Sequence, residues 1–360
     1  MGKTLMIGSC EPYSGKSALV LGIARYLGAL EIPFRFGKPL ATSLQQDDPS
    51  SNLPSPLIDD DVRFIASIIG LEKDKLIHSV DFWSPHTAEN RLFNAFLKPG
   101  KGFDALKEKL NDSFEGINLL ETAGSINEGL LYGLSLVQLA KTFKAKVLLV
   151  HLWRDSCSVD PLLAAKDQLG DAFIGVILNA VTPDDLKDIQ DNVVPLLIDL
   201  GINVFGVMPR SPLLRSVTVE ELVSRLNARI ICCSDRLELM VETLSIGAMS
   251  VNSAMEFFRK RRNMAVVTGA DRTDIQLAAL EASTQCLILT GAGDPLPQLI
   301  NRAEELEVPL LKVDSDTLST VEVIEQAFGH VRLHESVKAS YAFRLVEEHC
   351  DLKRLFVSLR

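Results

Sequence analysis

The residues best suited to chemistry lie in one short stretch near the N-terminus, Gly8-Ser9-Cys10-Glu11-Pro12-Tyr13-Ser14-Gly15-Lys16-Ser17. Nucleotide phosphates are held by backbone N–H groups at a helix N-terminus, by a lysine ammonium and by a hydroxyl that ligates Mg²⁺. The tripeptide Gly15-Lys16-Ser17 supplies the last part of such a loop, but Cys10 stands where the motif has its first glycine. The stretch predicts a variant phosphate loop; the alternative is an ordinary helix start capped by Ser14.

Acidic residues form two further candidate groups. Glu121 ends the apolar run Asn118-Leu119-Leu120-Glu121 and precedes small residues. A carboxylate at the carboxyl end of a parallel strand lies where ligands bind and can hold a metal ion, although many strands simply end in a polar residue. The consecutive acids Asp59–Asp61 precede an apolar helical stretch. They either cap that helix in solvent, the favoured interpretation, or contribute to a metal site.

Alternating strands and helices must position these groups. In the first part of the chain, apolar runs predict strands at Thr4–Gly8, Pro33–Lys38, Asn118–Glu121, Lys146–Leu152, Phe173–Asn179 and Val204–Met208. Helical spacing of apolar residues predicts helices that include Lys16–Leu30, Val159–Leu169 and Pro183–Leu200. This alternation indicates βαβ units, and therefore an α/β fold in which a parallel sheet has helices on both faces.

A break at Met208-Pro209-Arg210-Ser211-Pro212 separates this part from a second α/β pattern. After a charged helix at Thr218–Leu226, the predicted strands are Arg229–Cys233, Ala265–Thr268, Cys286–Thr290 and Pro309–Val313. The predicted helices are Asp235–Ala248, Asp274–Glu281, Pro297–Leu306, Thr320–Phe328 and a terminal helix, Val337–Phe356. We expect a nucleotide-binding domain at 1–212, a linker helix at 213–226, a smaller α/β domain at 227–335 and a C-terminal helix at 336–360. The stretch Thr42–Pro56 reads as a mobile loop.

Composition limits the class of protein. The 360 residues suggest about two domains. With 47 acidic and 37 basic residues, the formal charge is −10, which argues against a general affinity for nucleic acid or an anionic membrane. The six cysteines have no C-x-x-C spacing, so neither a zinc site nor a disulfide framework is indicated. Lacking a signal peptide and an apolar run of bilayer length, the sequence predicts a cytoplasmic protein without membrane insertion.

Three other groups favour structural explanations or leave the choice open. The basic run Arg259–Arg262 is more typical of a solvated helix end than of a nucleic-acid contact. The histidines His330 and His334 have i, i+4 spacing, but a solvated turn is favoured over metal ligation. Asp271 and Arg272 open a helix after a strand, where capping, anion binding and a subunit contact stay equally open.

The first ~210 residues resemble the dethiobiotin synthetase and cobyrinic acid a,c-diamide synthase branch of P-loop proteins. A similar module begins the long bacterial phosphotransacetylases. The matching segments, in order, are Gly15-Lys16-Ser17, Gly37-Lys38-Pro39-Leu40-Ala41-Thr42-Ser43, Leu120-Glu121-Thr122-Ala123-Gly124, Gly175-Val176-Ile177-Leu178-Asn179 and Gly206-Val207-Met208-Pro209. Residues from Asn227 to Lys338 resemble the DRTGG domain, with Asp274 and Ile275 in place of the two glycines of its motif.

The resemblance implies ATP and Mg²⁺ as cofactors and suggests the residues that would hold them. Nucleotide contacts are implied for Glu11, Ser14, Gly15, Lys16, Ser17, Ala18 and Asn179, the last near the adenine. Magnesium ligation is implied for Ser17 and Glu121, and Asp60 of the acidic run is a further candidate metal ligand. Lys38 and Thr42 match catalytic positions that stabilise an acyl-phosphate or carbamate anion, although Lys38 could instead be a surface lysine at a strand end. The charge of Glu11 is expected to weaken ATP binding or change its pose.

Three functions follow from this resemblance. The first is an ATP-binding regulatory or scaffold protein, homo-oligomeric through its DRTGG-like domain. It would lack acetyl transfer, which phosphotransacetylases carry in a further domain. The second is an ATP-dependent ligase that activates a carboxylate or CO₂. The third is an interaction protein that has lost nucleotide binding.

Overall fold

The computed structural model describes residues 3–44 and 57–359, which form two compact units. Unit 1 contains Met1–Arg210 and Arg332–Arg360, whereas unit 2 contains Ser211–Val331. Positions 213–226, predicted as a linker helix, are grouped with unit 2, and positions 336–360 with unit 1. Positions 45–56 of the predicted mobile loop lie outside the described residues.

The strands described in unit 1 are β1 (Lys3–Ser9), β2 (Phe34–Gly37), β3 (Leu40–Ala41), β4 (Leu76–Ile77), β5 (Asp81–Phe82), β6 (Ile117–Glu121), β7 (Lys146–Leu152), β8 (Phe173–Val181) and β9 (Val204–Pro209). Seven of them form a parallel sheet in the order β4-β2-β6-β1-β7-β8-β9. The short strands β3 and β5 pair with each other. The central strands are almost continuously apolar because parallel sheets are covered on both faces.

Helices flank this sheet, so the predicted α/β fold is confirmed. They are α1 (Lys16–Ala29), α2 (Asp60–Ile69), α3 (Pro85–Phe93), α4 (Gly102–Asn111), α5 (Leu136–Phe143), α6 (Val159–Leu169), α7 (Leu186–Asp188) and α8 (Val194–Asp199). The predicted helix Pro183–Leu200 is interrupted by a π-helical segment, Ile189–Val193. Pro195 lies two residues after this segment and has no N–H for the bond to the fourth residue before it, which accounts for the irregular turn.

The helices and strands of unit 2 are α9 (Pro212–Arg215), β10 (Val217–Thr218), α10 (Val219–Leu226), β11 (Arg229–Cys232), β12 (Met240–Val241), β13 (Thr243–Ile246), α11 (Val251–Arg259), β14 (Met264–Gly269), α12 (Thr273–Leu280), β15 (Thr284–Thr290), α13 (Pro297–Glu305), β16 (Leu310–Lys312) and α14 (Thr317–Gly329). Five of the strands form a sheet in the order β11-β16-β15-β14-β13. Strands β13 to β16 are parallel, and β11 is antiparallel to β16. An apolar cluster covers each face.

The predicted helix Asp235–Ala248 is wrong. The structure has turns there, followed by β12 and by β13, which pairs in parallel with β14 from Thr243↔Met264 to Ile246↔Val267. Leu237, Leu239 and Leu244 pack into the apolar cluster on one face of the sheet from turn and strand positions. Tertiary pairing thus overrides the apparent helical spacing.

The chain returns to unit 1 as two helices, α15 (Ser336–His349) and α16 (Leu352–Ser358). The single terminal helix predicted at Val337–Phe356 is therefore broken at Cys350, which forms an antiparallel bridge with Gly206 of β9. Gly206 permits this approach, because a Cβ atom there would lie 2.6 Å from the carbonyl oxygen of His349. Within the described residues, no helix is long and apolar enough to cross a membrane.

Candidate functional site

The predicted phosphate loop joins the central strand β1 to α1 at the carboxyl edge of the unit 1 sheet. Gly15 has φ +97°, a left-handed conformation that favours glycine. A Cβ atom there would also lie 2.3 Å from Nδ2 of Asn179. Asn179 donates from Nδ2 to the Ser14 carbonyl at 2.7 Å, and its Oδ1 accepts from the Ala180 N–H. Asn179 therefore positions the loop, while its contact with adenine stays a prediction.

Lys16 is the first residue of α1 and is buried. Its Nζ donates to Ser9 Oγ at 2.8 Å and to the Gly124 carbonyl at 3.1 Å. Burial lowers the pKa of Lys16 to about 8, while the carboxylate of Glu121 opposes that shift. Both hydrogen-bond acceptors are neutral oxygens, so phosphate oxygens could replace them and would favour the charged ammonium.

Ser17 and Glu121, predicted as metal ligands, are in direct contact. Ser17 Oγ donates to Glu121 Oε1 at 3.0 Å. Glu121 Oε2 is buried and has no hydrogen-bond partner among the residues described. Burial raises the pKa of Glu121 to about 7, although Lys38 and Lys16 oppose the shift. Because Mg²⁺ is usually held by one or two carboxylates plus phosphate oxygens, the free carboxylate oxygen and the hydroxyl fit this ion.

Glu11 is charge-compensated within the loop region. Arg154, just after β7, donates from Nη1 and Nη2 to the two carboxylate oxygens at 2.8 and 2.5 Å. This bidentate pair offsets the negative charge of Glu11, which was expected to weaken ATP binding at the phosphate loop. Cys10, in the same loop, has a thiol whose pKa burial raises to about 12, so it stays protonated at neutral pH.

Lys38 lies at the end of β2 and is only 4 % exposed, so the alternative of a surface lysine is wrong. Its Nζ donates to Thr42 Oγ1 at 2.7 Å and to Asp61 Oδ2 at 2.9 Å, with Asp59 Oδ2 at 3.3 Å. Burial alone would lower the pKa of Lys38, but the carboxylates of Glu121, Asp61 and Asp59 outweigh it and raise the pKa above its usual range. The structure thus brings Lys38 and Thr42 together, as predicted catalytic partners require.

The acids Asp59–Asp61 are buried, so the favoured interpretation of a solvent-exposed cap is wrong. Asp59 does cap α2, since its Oδ1 accepts from the Asp61 N–H at 2.9 Å. Asp60, predicted to bind Mg²⁺, has its Oδ2 2.6 Å from Ser43 Oγ. Its neighbours Asp59 and Asp61 contact Lys38, and Mg²⁺ ligation by Asp60 stays a prediction. Ala18, the remaining predicted nucleotide contact, lies buried in the first turn of α1.

Two further residues reach this region: Arg332, for which the sequence carries no signal, and His334, which was interpreted as part of a solvated turn. His334 Nε2 lies 3.0 Å from Asp61 Oδ1, and its ring packs against Phe64 with centroids 5.5 Å apart. Arg332 donates from Nη2 to the Thr42 carbonyl at 3.2 Å. Burial alone would raise the pKa of Asp61, but the hydrogen bond from His334 and the charge of Lys38 hold it well below its usual range. No local pattern marks residues so far along the chain as members of this site.

Comparison with known proteins agrees with the geometry. The AAA domain model matches residues 3–218, and the DRTGG domain model matches residues 221–327. A phosphate acetyltransferase of Synechocystis sp. is 26 % identical over 211 residues, covering 56 % of this chain and 30 % of the relative. A phosphate acetyltransferase of Nitratidesulfovibrio vulgaris is 21 % identical over 380 positions, covering 99 % of this chain and 51 % of the relative. The chain thus spans about half, or less, of the length of these relatives.

Two solved structures are similar to parts of the chain. The septum site-determining protein MinD of Pyrococcus horikoshii, complexed with Mg-ADP, covers 60 % of this chain and 84 % of its own at 14 % identity and a TM-score of 0.34. The regulatory region of a Clostridium perfringens pyrophosphatase, with CBS and DRTGG domains and diadenosine tetraphosphate, covers 42 % of this chain and 73 % of its own. The identity there is 17 % and the TM-score 0.28. Since the AAA domain model matches more than half of the chain, this protein belongs to the AAA domain family, and its AAA domain is followed by a DRTGG domain.

Proposed function

We propose that unit 1 binds ATP together with Mg²⁺ and that the protein acts as a regulatory or scaffold protein whose nucleotide state is read by its DRTGG domain. The observation that carries the proposal is the arrangement of the phosphate loop, in which buried Lys16 meets neutral acceptors and Ser17 contacts Glu121, whose second carboxylate oxygen is buried without a hydrogen-bond partner among the residues described. Lys16 would contact phosphate oxygens, and Ser17 and Glu121 would hold the ion. The bound Mg²⁺ would supply charge neutralisation for the phosphates.

The regulatory part of the proposal is supported by the domain order. The DRTGG domain follows the AAA domain along the chain, and the two relatives reported above are phosphate acetyltransferases. Homo-oligomerisation through the DRTGG domain is part of this proposal. Light scattering of the full chain with and without Mg-ATP measures it, and a single monomeric mass in both states would contradict it.

Calorimetry tests the nucleotide site. We expect heat of binding from Mg-ATP with the wild-type protein and a loss of at least about tenfold in affinity for Lys16→Ala, since one charge-assisted phosphate contact is removed. Lys141→Ala is the matched control, because Lys141 is an exposed lysine of the same unit. Equal heats for the wild-type protein and Lys16→Ala would remove the assignment.

A second candidate function, an ATP-dependent ligase, is favoured by one observation. A nucleotide-binding switch has no need for the buried group of Lys38, Thr42 and Asp61, whereas an acyl-phosphate or carbamate anion would be stabilised by it. ADP release would then be stimulated by a diamino acid, a dicarboxylate or bicarbonate. Lys38→Met should abolish that stimulation while leaving Mg-ATP binding in place. ATP binding without turnover in the presence of all three classes favours the regulatory protein.

A further inference from the structure

The chain returns from unit 2 to unit 1 through a short segment, residues 330–335, which joins α14 to α15. At its start the segment is anchored in unit 2, where Val331 packs against an apolar cluster and the His330 carbonyl accepts from Arg225 Nη2 at 3.5 Å. Two later residues of the segment contact the candidate site of unit 1. The segment is therefore the covalent connection between that site and the DRTGG domain.

The contacts in unit 1 are made to two partners of Lys38. Arg332 Nη2 donates to the Thr42 carbonyl at 3.2 Å. His334 Nε2 lies 3.0 Å from Asp61 Oδ1. The hydroxyl of Thr42 and the other carboxylate oxygen of Asp61 both accept from Lys38 Nζ. Each contact of the segment thus involves a residue that itself touches Lys38.

All three N–H donors of the Lys38 ammonium are in use among the residues described. They face Thr42 Oγ1 at 2.7 Å, Asp61 Oδ2 at 2.9 Å and Asp59 Oδ2 at 3.3 Å. Lys38 can therefore contact a bound phosphate only by leaving one of these oxygens.

Among the neighbouring acids, Asp61 is the one whose partners can exchange. Asp59 Oδ2 accepts from the Thr42 N–H at 2.7 Å, and Asp60 Oδ2 accepts from Ser43 Oγ at 2.6 Å. Asp61 instead has Lys38 at one oxygen and the segment at the other. The charge of Arg332, in the same segment, also acts on this carboxylate. If Lys38 leaves, Asp61 keeps the segment as its counter-group.

The group around Lys38 lies within electrostatic range of the phosphate loop. Burial alone would lower the pKa of both Lys16 and Lys38, and Glu121 is the foremost charge that opposes this effect in both. Asp61 acts on the same two lysines. Phosphates bound at Lys16 would therefore attract the Lys38 ammonium and repel the Asp61 carboxylate.

We propose that the segment 330–335 reads the nucleotide state of unit 1 through Asp61. Without nucleotide, Asp61 is shared between Lys38 and His334. With Mg-ATP bound, Lys38 turns to a phosphate oxygen, and Asp61 is left to His334 and Arg332, which hold the segment more tightly. The two states differ in their contacts, as a change driven by a ligand requires. This inference rests on the proposed function, because it requires Mg-ATP at the phosphate loop, and it names the contact by which that state reaches the DRTGG domain.

Amide exchange of residues 330–340, which comprise the segment and the first turn of α15, tests this in the full-length protein. His334→Phe keeps a ring against Phe64 and removes the nitrogen that contacts Asp61. His86→Phe, at an exposed position of the same unit, is the matched control. Calorimetry first gives the Mg-ATP affinity of each protein. Exchange is then compared without nucleotide and at about tenfold above the dissociation constant of that protein, where most of it is loaded.

We expect Mg-ATP to slow exchange at residues 330–340 by at least about fivefold in the wild-type protein and in His86→Phe, and to leave it unchanged in His334→Phe. Mg-ATP binding without a change at these residues would overturn the inference and leave the nucleotide site in place. An equal change in His334→Phe would also overturn it, because the segment would then respond without Asp61.

Two further outcomes are decisive. The absence of calorimetric binding to the wild-type protein would remove the proposed function, and the inference with it. If His334→Phe does not fold, Arg332→Gln removes the other contact of the segment and should likewise lose the response to Mg-ATP. A response of wild-type size in Arg332→Gln would then overturn the inference.

Discussion

At the scale of single residues, Glu121 connects the candidate metal site to pH. Its folded-state pKa, about 7, lies above the ordinary value of 4.5 because the carboxyl is buried. The stability that this group contributes is therefore fully present below about pH 4.5 and is lost as the pH rises through 7. Mg²⁺ would bind the ionised carboxylate of Glu121, which is the form that burial disfavours when no cation is bound.

Glu121→Gln should consequently stabilise the ligand-free protein at pH 8 but not at pH 4.5. The expected gain at pH 8 is about 1–3 kcal/mol, because a neutral amide replaces a desolvated charge and can still accept from Ser17. Urea unfolding at the two pH values measures it. Glu115→Gln, at an exposed position of the same unit, is the control and should change neither value. A loss of stability at pH 8 would contradict the assignment of a buried charge.

The pair of Glu11 and Arg154 makes a second residue-scale prediction. Arg154→Ala should weaken Mg-ATP binding, because Glu11 would then face the phosphates without compensation. Glu11→Gln should bind at least as tightly as the wild-type protein, and the double variant should recover most of the loss. Calorimetry of the wild-type protein, the two single variants and the double variant measures the coupling energy between Glu11 and Arg154 in Mg-ATP binding. An Arg154→Ala defect that persists in the Glu11→Gln background would mean that Arg154 contacts the nucleotide itself.

At the scale of elements, α1 depends on close contact with α15. A Cβ atom at Gly22 would lie 2.4 Å from Val346 Cβ, whereas one at Gly28, in the same helix, would have nothing within 4 Å. Gly22→Ala should therefore destabilise the protein by about 1–3 kcal/mol through overpacking. Gly28→Ala should stabilise it by about 0.5–1 kcal/mol through helix propensity. Denaturant melts compare them, and similar effects of the two substitutions would show that the helices can separate.

Many of the helices and strands could be predicted from the sequence, because the spacing of their apolar residues agrees with the turn-forming residues that bound them. The strand Lys146–Leu152 and the helix Val159–Leu169 begin and end where the sequence indicated. The Asp235–Ala248 region could not be predicted, because the pairing of β13 with β14 decides its conformation and leaves no local signal. The same limit applied to the candidate site. Local motifs predicted Lys16, Ser17 and Glu121, whereas His334 reaches Asp61 only through a long-range contact.

At the scale of the whole molecule, the two compact units have separate apolar clusters. We expect calorimetric unfolding to show two transitions, since such proteins depart from two-state behaviour. Mg-ATP should raise the midpoint of one transition and leave the other unchanged. A single transition in which both units unfold together would contradict this independence.

The discontinuity of unit 1 has a consequence for how the protein is made. The phosphate-loop helix α1 is synthesised early, but α15, the helix that covers Gly22, is synthesised only after all residues of unit 2. Domains fold as units during synthesis. Until α15 is synthesised, the face of α1 at Gly22 lacks the helix that covers it, so unit 1 can complete its packing only after the residues of unit 2 have been made.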